Sequence, residues 1–496
     1  MTAMQGLNNG VKPAAPNSPN PKVLFVGTEC SPFSKVGGLG DIMGSLPKAL
    51  VKHGIDVRVV TPAWPGVMQA VRDSGYKITT LPQKIVVAYA WAVAEATVHV
   101  IDTEGVTVYF LESDYYAGEM YPWALNSFTV RPFVVFCMQA LDLEKLTGWT
   151  PDIFHCHDWA SASLPCMLAW HRQYSGRRRK SVITLHNAAH QGKFAPGPFF
   201  DESGINTSCF NLEGLEFYGQ INLLKGAVMS SSAVTTVSPR YAWEVQTYES
   251  TQEFSGVMYS QRHKLHGILN GLDVDYWNPS TDHLLPECYS SESLSGKAAC
   301  RAELLKNTNF DPSYSGPVVV CVSRLVEQKG FDIVLPALKQ INAVGAKFVI
   351  LGSGHRWIED AMRNAAAANQ ESLCFIPGFN ERLAHILYAG GDIFLMPSLF
   401  EPCGLSQMIA MRYGTVPVVR EVGGLKDTVL DADSEGGGNG FTFLTYDTQG
   451  MLWSLRRATE RFSNARAWSK IRSRGMNEDF SWGKSAVLYE KLYNAI

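Results

Sequence analysis

The segment that most constrains this chain is a glycine-rich turn, KVGGLGD at residues 35–41, which joins an apolar run to an amphipathic stretch. The apolar run is VLFV at residues 23–26, and apolar residues recur at helical spacing from Leu39 to Leu50. A second strand-like run, VRVV, follows at residues 57–60. This order is typical of a β-α-β unit. The sequence therefore predicts an α/β fold with a parallel sheet.

The chemistry of the turn points to a bound anion. A strand that leads into a helix N-terminus presents backbone N–H groups and the positive end of the helix dipole, which together favour a phosphate or a diphosphate. Close packing of the strand against the helix is the alternative explanation of the glycines. Lys35 favours the ligand, because packing alone has no use for a cation at this place.

Length and composition narrow the class of protein. A chain of 496 residues predicts two large domains, and 46% hydrophobic with 18% charged residues is typical of a globular protein. The net charge of -3 gives no reason to expect a nucleic-acid partner, and the basic run RRRK at residues 177–180 is explained by a solvated loop. No stretch is apolar for long enough to cross a bilayer, so no membrane partner is expected.

Cysteine usage and the N-terminus indicate the compartment. Ten cysteines are scattered without any Cys-x-x-Cys, a pattern that favours reduced thiols over a disulfide framework or a zinc site. Residues 1–20 are rich in Asn, Pro and Ala and lack the apolar segment of a signal peptide, which predicts a disordered extension. Cytoplasm is the expected location, and a plastid after removal of a transit peptide is the alternative.

A second α/β domain is predicted after a break near residue 265. It begins with the strand VVVCV at residues 318–322, continues through the loop SRLVEQKG and has a helix from Phe331 to about Val344. Arg324 and Lys329 lie on that loop, at the carboxyl end of a strand. A planar cation and a point cation on one loop favour a common anionic ligand, although paired basic residues are also common in solvated loops.

A carboxylate follows a later strand of the same domain. The strand DIFLMP at residues 392–397 precedes Glu401, and a helix is predicted from near Gly404 to Gly414. Glu401 is explained either by a favourable charge at the helix N-terminus or by an acceptor for sugar hydroxyls. Its place on the sheet edge that carries Arg324 and Lys329 favours the sugar.

Polar side chains also end two strands of the first domain, in HCHDW at residues 155–159 and in LHN at residues 185–187. Ligands of open parallel sheets bind outside the carboxyl ends of the strands. His155, His157 and Asp158 therefore suggest either a metal site or hydrogen bonds to a sugar. The sugar is favoured, since no second cluster of ligands accompanies them.

Six motifs occur in a fixed order along the chain: KVGGLGD, HCHDW, LHNAAHQGKF, GILNGLDVDYWNP, SRLVEQKG and EPCGLSQ. In this combination the chain, from about residue 22 to its C-terminus, resembles the bacterial glycogen synthase and plant starch synthase family. These are retaining glucosyltransferases of the GT-B type. The resemblance implies two Rossmann-like domains that face a deep cleft, at residues 21–265 and 266–480, and a C-terminal helix at residues 481–496 that crosses back to the first domain.

The resemblance also implies a reaction, in which glucose passes from ADP-glucose to the non-reducing end of an α-1,4-glucan. It implies that the diphosphate is neutralised by Arg324 and Lys329, that the glucose hydroxyls are bound by Glu401, and that His186 and Asp158 line the reacting centre. It further implies donor contacts from residues of five motifs or loops: Lys35, Gly37, Gly38, Asp41, Asn270, Gln328, Phe379, Cys403, Gly404 and Leu405. For Phe379, stacking on the base and a core position are both open.

No cofactor and no metal are expected, because cations in a dry site stabilise the leaving diphosphate. The pairs Asp273/Asp275 and Asp431/Asp433 have the spacing of metal ligands but are interpreted as turn or surface groups.

Three functions are alternatives to the glucosyltransferase. A sucrose-type transferase of the same fold commonly has a second Glu eight residues after Glu401, where Ile409 stands, and a nicotinamide oxidoreductase needs a third glycine where Met43 stands. The third is a glucan-binding or priming scaffold without turnover. A synthase that prefers UDP-glucose is a variant of the favoured reaction.

Overall fold

The computed structural model describes residues 20–176, 179–338, 340 and 344–496. The predicted N-terminal extension, apart from residue 20, lies outside the described residues, as do the first two arginines of the basic run at 177–180. Part of the helix predicted from Phe331 to Val344 also lies outside them, and the described helix there is Phe331–Ala337.

Strands are numbered in chain order. In the first half of the chain they are β1 Lys22–Val26, β2 Asp56–Pro62, β3 Thr79–Thr80, β4 Ile85–Tyr89, β5 Ala92–Thr103, β6 Val106–Glu112, β7 Ile153–His157, β8 Lys180–Leu185, β9 Lys193–Phe194, β10 Glu216–Phe217, β11 Gln220–Asn222, β12 Ala233–Thr236 and β13 Leu265–Gly267. In the second half they are β14 Val318–Val322, β15 Lys347–Gly352, β16 Leu373–Pro377, β17 Ile393–Met396, β18 Val416–Arg420 and β19 Phe441–Phe443.

The α-helices are numbered in the same way. The first ten are α1 Gly38–Lys52, α2 Val67–Asp73, α3 Arg131–Thr147, α4 Asp158–Ser161, α5 Ser163–Trp170, α6 Phe199–Ser203, α7 Leu223–Ser230, α8 Pro239–Glu244, α9 Tyr248–Thr251 and α10 Phe254–Ser260. The others are α11 Ser295–Lys306, α12 Phe331–Ala337, α13 Arg356–Ala368, α14 Glu381–Gly390, α15 Ser406–Arg412, α16 Gly423–Thr428, α17 Thr448–Phe462, α18 Ala465–Met476 and α19 Trp482–Ala495.

The chain forms two units. The first contains the described residues up to Val237, together with Ala242–Gly271 and Trp482–Ile496, and the second contains Ser238–Tyr241 and Leu272–Ser481. The change from one unit to the other therefore falls between residues 271 and 272, whereas the motifs predicted it at 265/266. Helix α19 groups with the first unit, where it packs against α1.

The first unit is built on one large sheet with the strand order β13-β12-β8-β7-β1-β2-β6-β5-β3, and β4 pairs with β5. Strands from β13 to β6 are parallel, while β5, β3 and β4 join as antiparallel strands. The predicted β-α-β unit is present as β1, α1 and β2, with Lys22 opposite Asp56 in the register. A small antiparallel sheet, β10-β11-β9, accompanies it.

The second unit has a six-stranded parallel sheet with the order β16-β15-β14-β17-β18-β19. Its strands read as continuous apolar runs because helices cover both faces. In β14, Val318 and Val320 belong to the core on one face, and Val319 and Cys321 belong to the core on the other. Alternate side chains of a strand point to opposite faces, so each strand contributes to two hydrophobic cores.

Among the residues that the structure describes, no helix is both long and apolar enough to span a membrane.

Candidate active site

Strand order places the candidate site of the second unit. Numbered within the unit, its sheet has the order 3-2-1-4-5-6, so the order reverses between β14 and β17. Ligands of such sheets bind at this switch point, outside the carboxyl ends of the two strands. The loop after β14 carries Arg324, Gln328 and Lys329, and the loop after β17 carries Glu401.

These two loops meet in an ion pair. The Lys329 ammonium donates to Oε2 of Glu401 at 2.6 Å, and the side chains are 16% and 8% exposed. The Ser398 hydroxyl donates to the same oxygen at 3.0 Å. Helix α15 begins at Ser406 rather than near Gly404, and its N-cap residue is Leu405, so Glu401 is not the cap of that helix.

Two glycines of α16 allow the backbone at Glu401 to pack closely. A Cβ atom on Gly423, whose φ is +42°, would lie 1.9 Å from the Glu401 carbonyl oxygen. The Gly424 N–H donates to that oxygen at 3.1 Å, and a Cβ on Gly424 would lie 2.1 Å from the Cys403 oxygen. No side chain fits at either position, so both glycines are needed for α16 to approach the backbone of Glu401 and Cys403 this closely.

The turn Cys403-Gly404-Leu405 is held from the helix that follows it. The Gln407 side-chain amide donates to the carbonyls of Cys403 at 3.2 Å and Gly404 at 2.9 Å. Gln328 connects the two loops, because its side chain donates to the Phe400 carbonyl at 3.3 Å and its own carbonyl accepts from the Leu399 N–H. These residues lie where the motifs predicted them, at the switch point.

Arg324 and Phe379 present side chains to solvent. Arg324 is exposed on the loop that also carries Lys329. Phe379 is 80% exposed and follows β16, whose carboxyl end lies on the same edge of the sheet as that of β14. The core position considered for Phe379 is therefore wrong, and an accessible ring is what stacking on a base requires.

The first unit repeats the topology, with its switch point between β1 and β7. The KVGGLGD turn follows β1, and Lys35 pairs with Asp41 at 2.7 Å, with side chains 50% and 33% exposed. Helix α1 begins at Gly38, and a Cβ on Gly37 or Gly38 would meet nothing within 4 Å. These two glycines therefore leave open space at the turn.

Two of the amides at the predicted anion site are engaged within the chain. The N–H groups of Val36 and Gly37 donate to Oε2 of Glu29 at 2.7 and 3.0 Å. Glu29 is 2% exposed. Tyr121 donates to its other oxygen at 2.6 Å. A carboxylate of the chain itself occupies the first amides of the turn.

Three histidines stack at the end of β7 and β8. Rings of His155 and His157 lie 4.3 Å apart, and those of His157 and His186 lie 5.2 Å apart. His155 hydrogen-bonds the hydroxyls of Tyr493 at 2.7 Å and Thr184 at 2.6 Å. Nδ1 of His157 and Nε2 of His186 lie 2.9 Å apart.

Burial sets the protonation of this cluster. It lowers the pKa of His155 and of His186 to about 3, and the pKa of His157 falls well below its usual range for the same reason. All three imidazoles are therefore neutral at physiological pH. Burial also raises the pKa of Asp158 to about 7.

Asp158 is held by a backbone N–H group. Its Oδ1 accepts from the His186 N–H at 2.8 Å, and its own backbone is left-handed, with φ of +55°. Within the described ranges, no group of three His, Cys, Asp or Glu side chains has the geometry of a metal site. The structure thus brings Asp158 and His186 together, as the motifs predicted.

Asn270 is buried, and the two acidic pairs lie in turns or ion pairs. Asn270 is 5% exposed, and its Oδ1 has no hydrogen-bond partner among the described residues. Oδ1 of Asp273 accepts from the N–H of Asp275 at 3.1 Å, which is a turn. Asp431 and Asp433 both pair with Arg457 at 2.5 Å. Asp273 thus accepts within a turn, and Asp431 and Asp433 share one arginine.

Sequence reasoning missed Glu29, Tyr121 and Gln407. Glu29 had one usable signal, since it lies between β1 and the turn, at the carboxyl end of a central strand. Tyr121 lies in an irregular loop 92 residues away from Glu29 in the sequence, and nothing local marks it. Gln407 is part of the quoted EPCGLSQ motif but was given no role there.

Comparisons with known proteins identify the family. The starch synthase catalytic domain model matches residues 22–270, and a model of glycosyl transferases group 1 matches residues 316–460. Glycogen synthase of Geotalea daltonii is 39% identical over 482 residues, which cover 96% of this chain and 99% of that protein. Glycogen synthase of an Anaeromyxobacter species is 39% identical over 484 residues, again 96% of this chain and 99% of that protein.

Two solved structures match nearly whole chains. The catalytic domain of starch synthase IV from Arabidopsis thaliana, bound to ADP and acarbose, has a TM-score of 0.88 and 32% identity and covers 96% of this chain and 99% of that one. Sucrose-phosphate synthase from Thermosynechococcus elongatus, with a TM-score of 0.60 and 15% identity over 95% of this chain and 98% of its own, shares the fold. The predicted α/β fold of GT-B type is confirmed, and the chain belongs to the glycogen synthase and starch synthase family of glycosyltransferases.

Proposed function

We propose that the protein transfers glucose from ADP-glucose to the non-reducing end of an α-1,4-glucan, with retention of configuration. The reaction is proposed to need no metal or other cofactor. Its proposed location is the cytoplasm, which the cysteine usage predicts. The observation that carries this proposal is the Lys329–Glu401 pair at the switch point of the second sheet. It places a cation for a diphosphate beside an acceptor for sugar hydroxyls. Family membership supports a nucleotide-sugar donor and a glucan acceptor.

The leaving group accounts for the cations. As the bond between glucose and diphosphate breaks, negative charge grows on the diphosphate, and fixed cations stabilise that charge more in the transition state than in the bound donor. Lys329 is held in place by Glu401, and exposed Arg324 offers a planar fork for phosphate oxygens. Because these side chains can supply the positive charge, the reaction is proposed to proceed without a metal.

Glu401 is proposed to accept hydrogen bonds from the donor glucose. A carboxylate accepts only, and Lys329 and Ser398 both reach Oε2, so Oε1 is left for hydroxyls. The buried Glu401 carboxylate orients the sugar and need not attack it. Retention then follows if the acceptor hydroxyl attacks on the face that the diphosphate leaves, without the carboxylate pair of a retaining glycosidase.

The first unit is proposed to contribute Lys35 to the donor and Asp158 with His186 to the reacting centre. Neutral His186 is a hydrogen-bonding group and not a second cation there. Asn270, with a buried oxygen that has no partner, is proposed to accept from a donor hydroxyl. Phe379 is proposed to stack on the adenine, a contact that every base can make, so the preference for ADP-glucose rests on family membership.

The test is transfer of labelled glucose to glycogen in EDTA, with ADP-glucose and UDP-glucose in parallel and Glu401→Ala as the control. Incorporation from ADP-glucose that persists in EDTA and disappears in the control is the expected result. Incorporation from UDP-glucose alone would keep the chemistry and change the donor. Glycogen binding without incorporation from either donor would favour the priming scaffold instead.

A further inference from the structure

Glu29 is a buried carboxylate that forms no salt bridge with the residues that the structure describes. Its Oε2 accepts from the N–H groups of Val36 and Gly37, and its Oε1 accepts from Tyr121. The Tyr121 oxygen also lies 3.0 Å from the Thr28 hydroxyl. Val36, Gly37 and Tyr121 all donate to the carboxylate, which accepts through both oxygens.

The same carboxylate lies against the start of α1. A Cβ atom on Gly40 would lie 3.2 Å from Oε2 of Glu29 and 3.1 Å from the Ser34 carbonyl oxygen, so the turn closes around the carboxylate with no room to spare. The Ser31 N–H donates to the Gly40 carbonyl at 3.0 Å. The turn that carries Lys35 is therefore clamped from both sides, by the carboxylate and by the backbone before it.

We infer that Glu29 is a positioning residue for the donor: it fills the first amides of the KVGGLGD turn with a built-in anion and so holds Lys35 where the donor phosphate is to bind. This inference rests on the proposed function, in which Lys35 contacts the donor. The amides of Val36 and Gly37 are satisfied by Glu29 and are not ligands of the diphosphate. The Lys35 ammonium, which is half exposed and pairs with Asp41 at the surface, is then the group of this turn that binds the diphosphate.

Electrostatics connect this residue to the reacting centre. After burial, the negative charge of Glu29 is a further cause of the raised pKa of Asp158 and of Tyr121. Glu29 therefore lies close enough to Asp158 to affect it. Glu29 thus contacts the donor turn directly and acts on Asp158 through its charge.

The test removes the carboxylate and then restores it from solution. Glu29→Ala leaves two N–H groups without an acceptor, and we expect the donor KM to rise by about tenfold or more, since each charge-assisted hydrogen bond lost weakens the held geometry. Sodium formate or acetate should bind the vacated amides and lower that KM again. Sodium chloride at equal ionic strength should not.

Two variants separate positioning from damage to the fold. Glu29→Gln keeps the shape and can keep an oxygen on the two N–H groups but removes the negative charge, so its donor KM should rise less than that of Glu29→Ala. Glu202 is a matched control, since it is 4% exposed, accepts from Tyr89 at 3.2 Å and pairs with Arg131 within the same unit. Glu202→Gln should lower the melting temperature without raising the donor KM.

Hydrogen exchange gives a second readout that does not need activity. The amides of Val36 and Gly37 should exchange faster in Glu29→Ala than in the wild type, and formate should slow them again. If the wild type transfers glucose and both Glu29 variants keep its donor KM, the inference is overturned. If the wild type transfers none but the exchange result holds, the proposed function has failed and the role of Glu29 in holding the turn has not.

Discussion

Replacement of Lys329 by methionine is the sharpest test of the site in the second unit. The substitution keeps the length of the side chain and removes the ammonium that lies 2.6 Å from Glu401. Breaking a fully buried ion pair costs about 3–5 kcal/mol. Lys329 is 16% exposed and Ser398 still donates to the carboxylate, so water and one hydroxyl offset part of the loss. We therefore expect the free energy of unfolding to fall by about 2–3 kcal/mol.

The effect on turnover should be larger than the effect on folding. A fixed donor aimed at developing negative charge typically contributes about 10²–10³-fold in rate. For Lys329→Met we expect a loss of that size in kcat/KM for ADP-glucose, with urea unfolding measured on the same preparation. Lys306→Met is the control, because it breaks only an exposed pair on α11 and should match the wild type in both assays.

A double-mutant cycle decides whether the two residues act as a pair. Glu401→Gln alone leaves the Lys329 ammonium without its carboxylate, and the double variant leaves neither charge unpaired. Its loss of stability should be smaller than the sum of the single losses by about 1–3 kcal/mol. The reasoning is refuted if the losses simply add, or if Lys329→Met keeps more than a tenth of wild-type activity.

Three further outcomes are expected. Gly423→Ala would force a Cβ to 1.9 Å from the Glu401 carbonyl oxygen and should abolish glucose transfer. Gly436→Ala is the control, because that left-handed glycine has nothing within 4 Å of the added Cβ, and it should leave transfer intact. Comparable activity in the two variants would contradict the close approach. Phe379→Ala should leave the melting temperature unchanged, because the ring is 80% exposed, and should raise the donor KM about tenfold, since base stacking contributes about 1–3 kcal/mol; an unchanged KM would remove Phe379 from the donor site. Burial raises the pKa of Asp158 from 3.8 to about 7, so its ionisation lowers the stability of the folded state increasingly from pH 4 to 7. Asp158→Asn should therefore raise the melting temperature more at pH 8 than at pH 4. A gain that does not depend on pH would contradict the buried carboxylate.

The sequence alone determined the local elements and the residue types at their ends. Apolar runs of strand length separated by amphipathic helices require a parallel α/β sheet, since that is the arrangement that buries both faces of such strands. Polar residues directly after β14 and β17 then had to lie on one edge of the sheet. For this reason Arg324, Lys329 and Glu401 were recognisable as candidates, and the motifs were specific enough for the family.

Tertiary structure alone decided which groups meet. The order of the whole sheet makes β14 and β17 neighbours. Their loops then pair Lys329 with Glu401, which lie 72 residues apart in the sequence. The contact of His155 with Tyr493 spans 338 residues. Glu29 lies only seven residues before Val36, yet the sequence did not reveal their hydrogen bond. The path of the turn decides whether its amides face a ligand or the chain's own carboxylate. Local periodicity carries information about near neighbours, whereas long-range pairs and the filling of a turn are settled by packing.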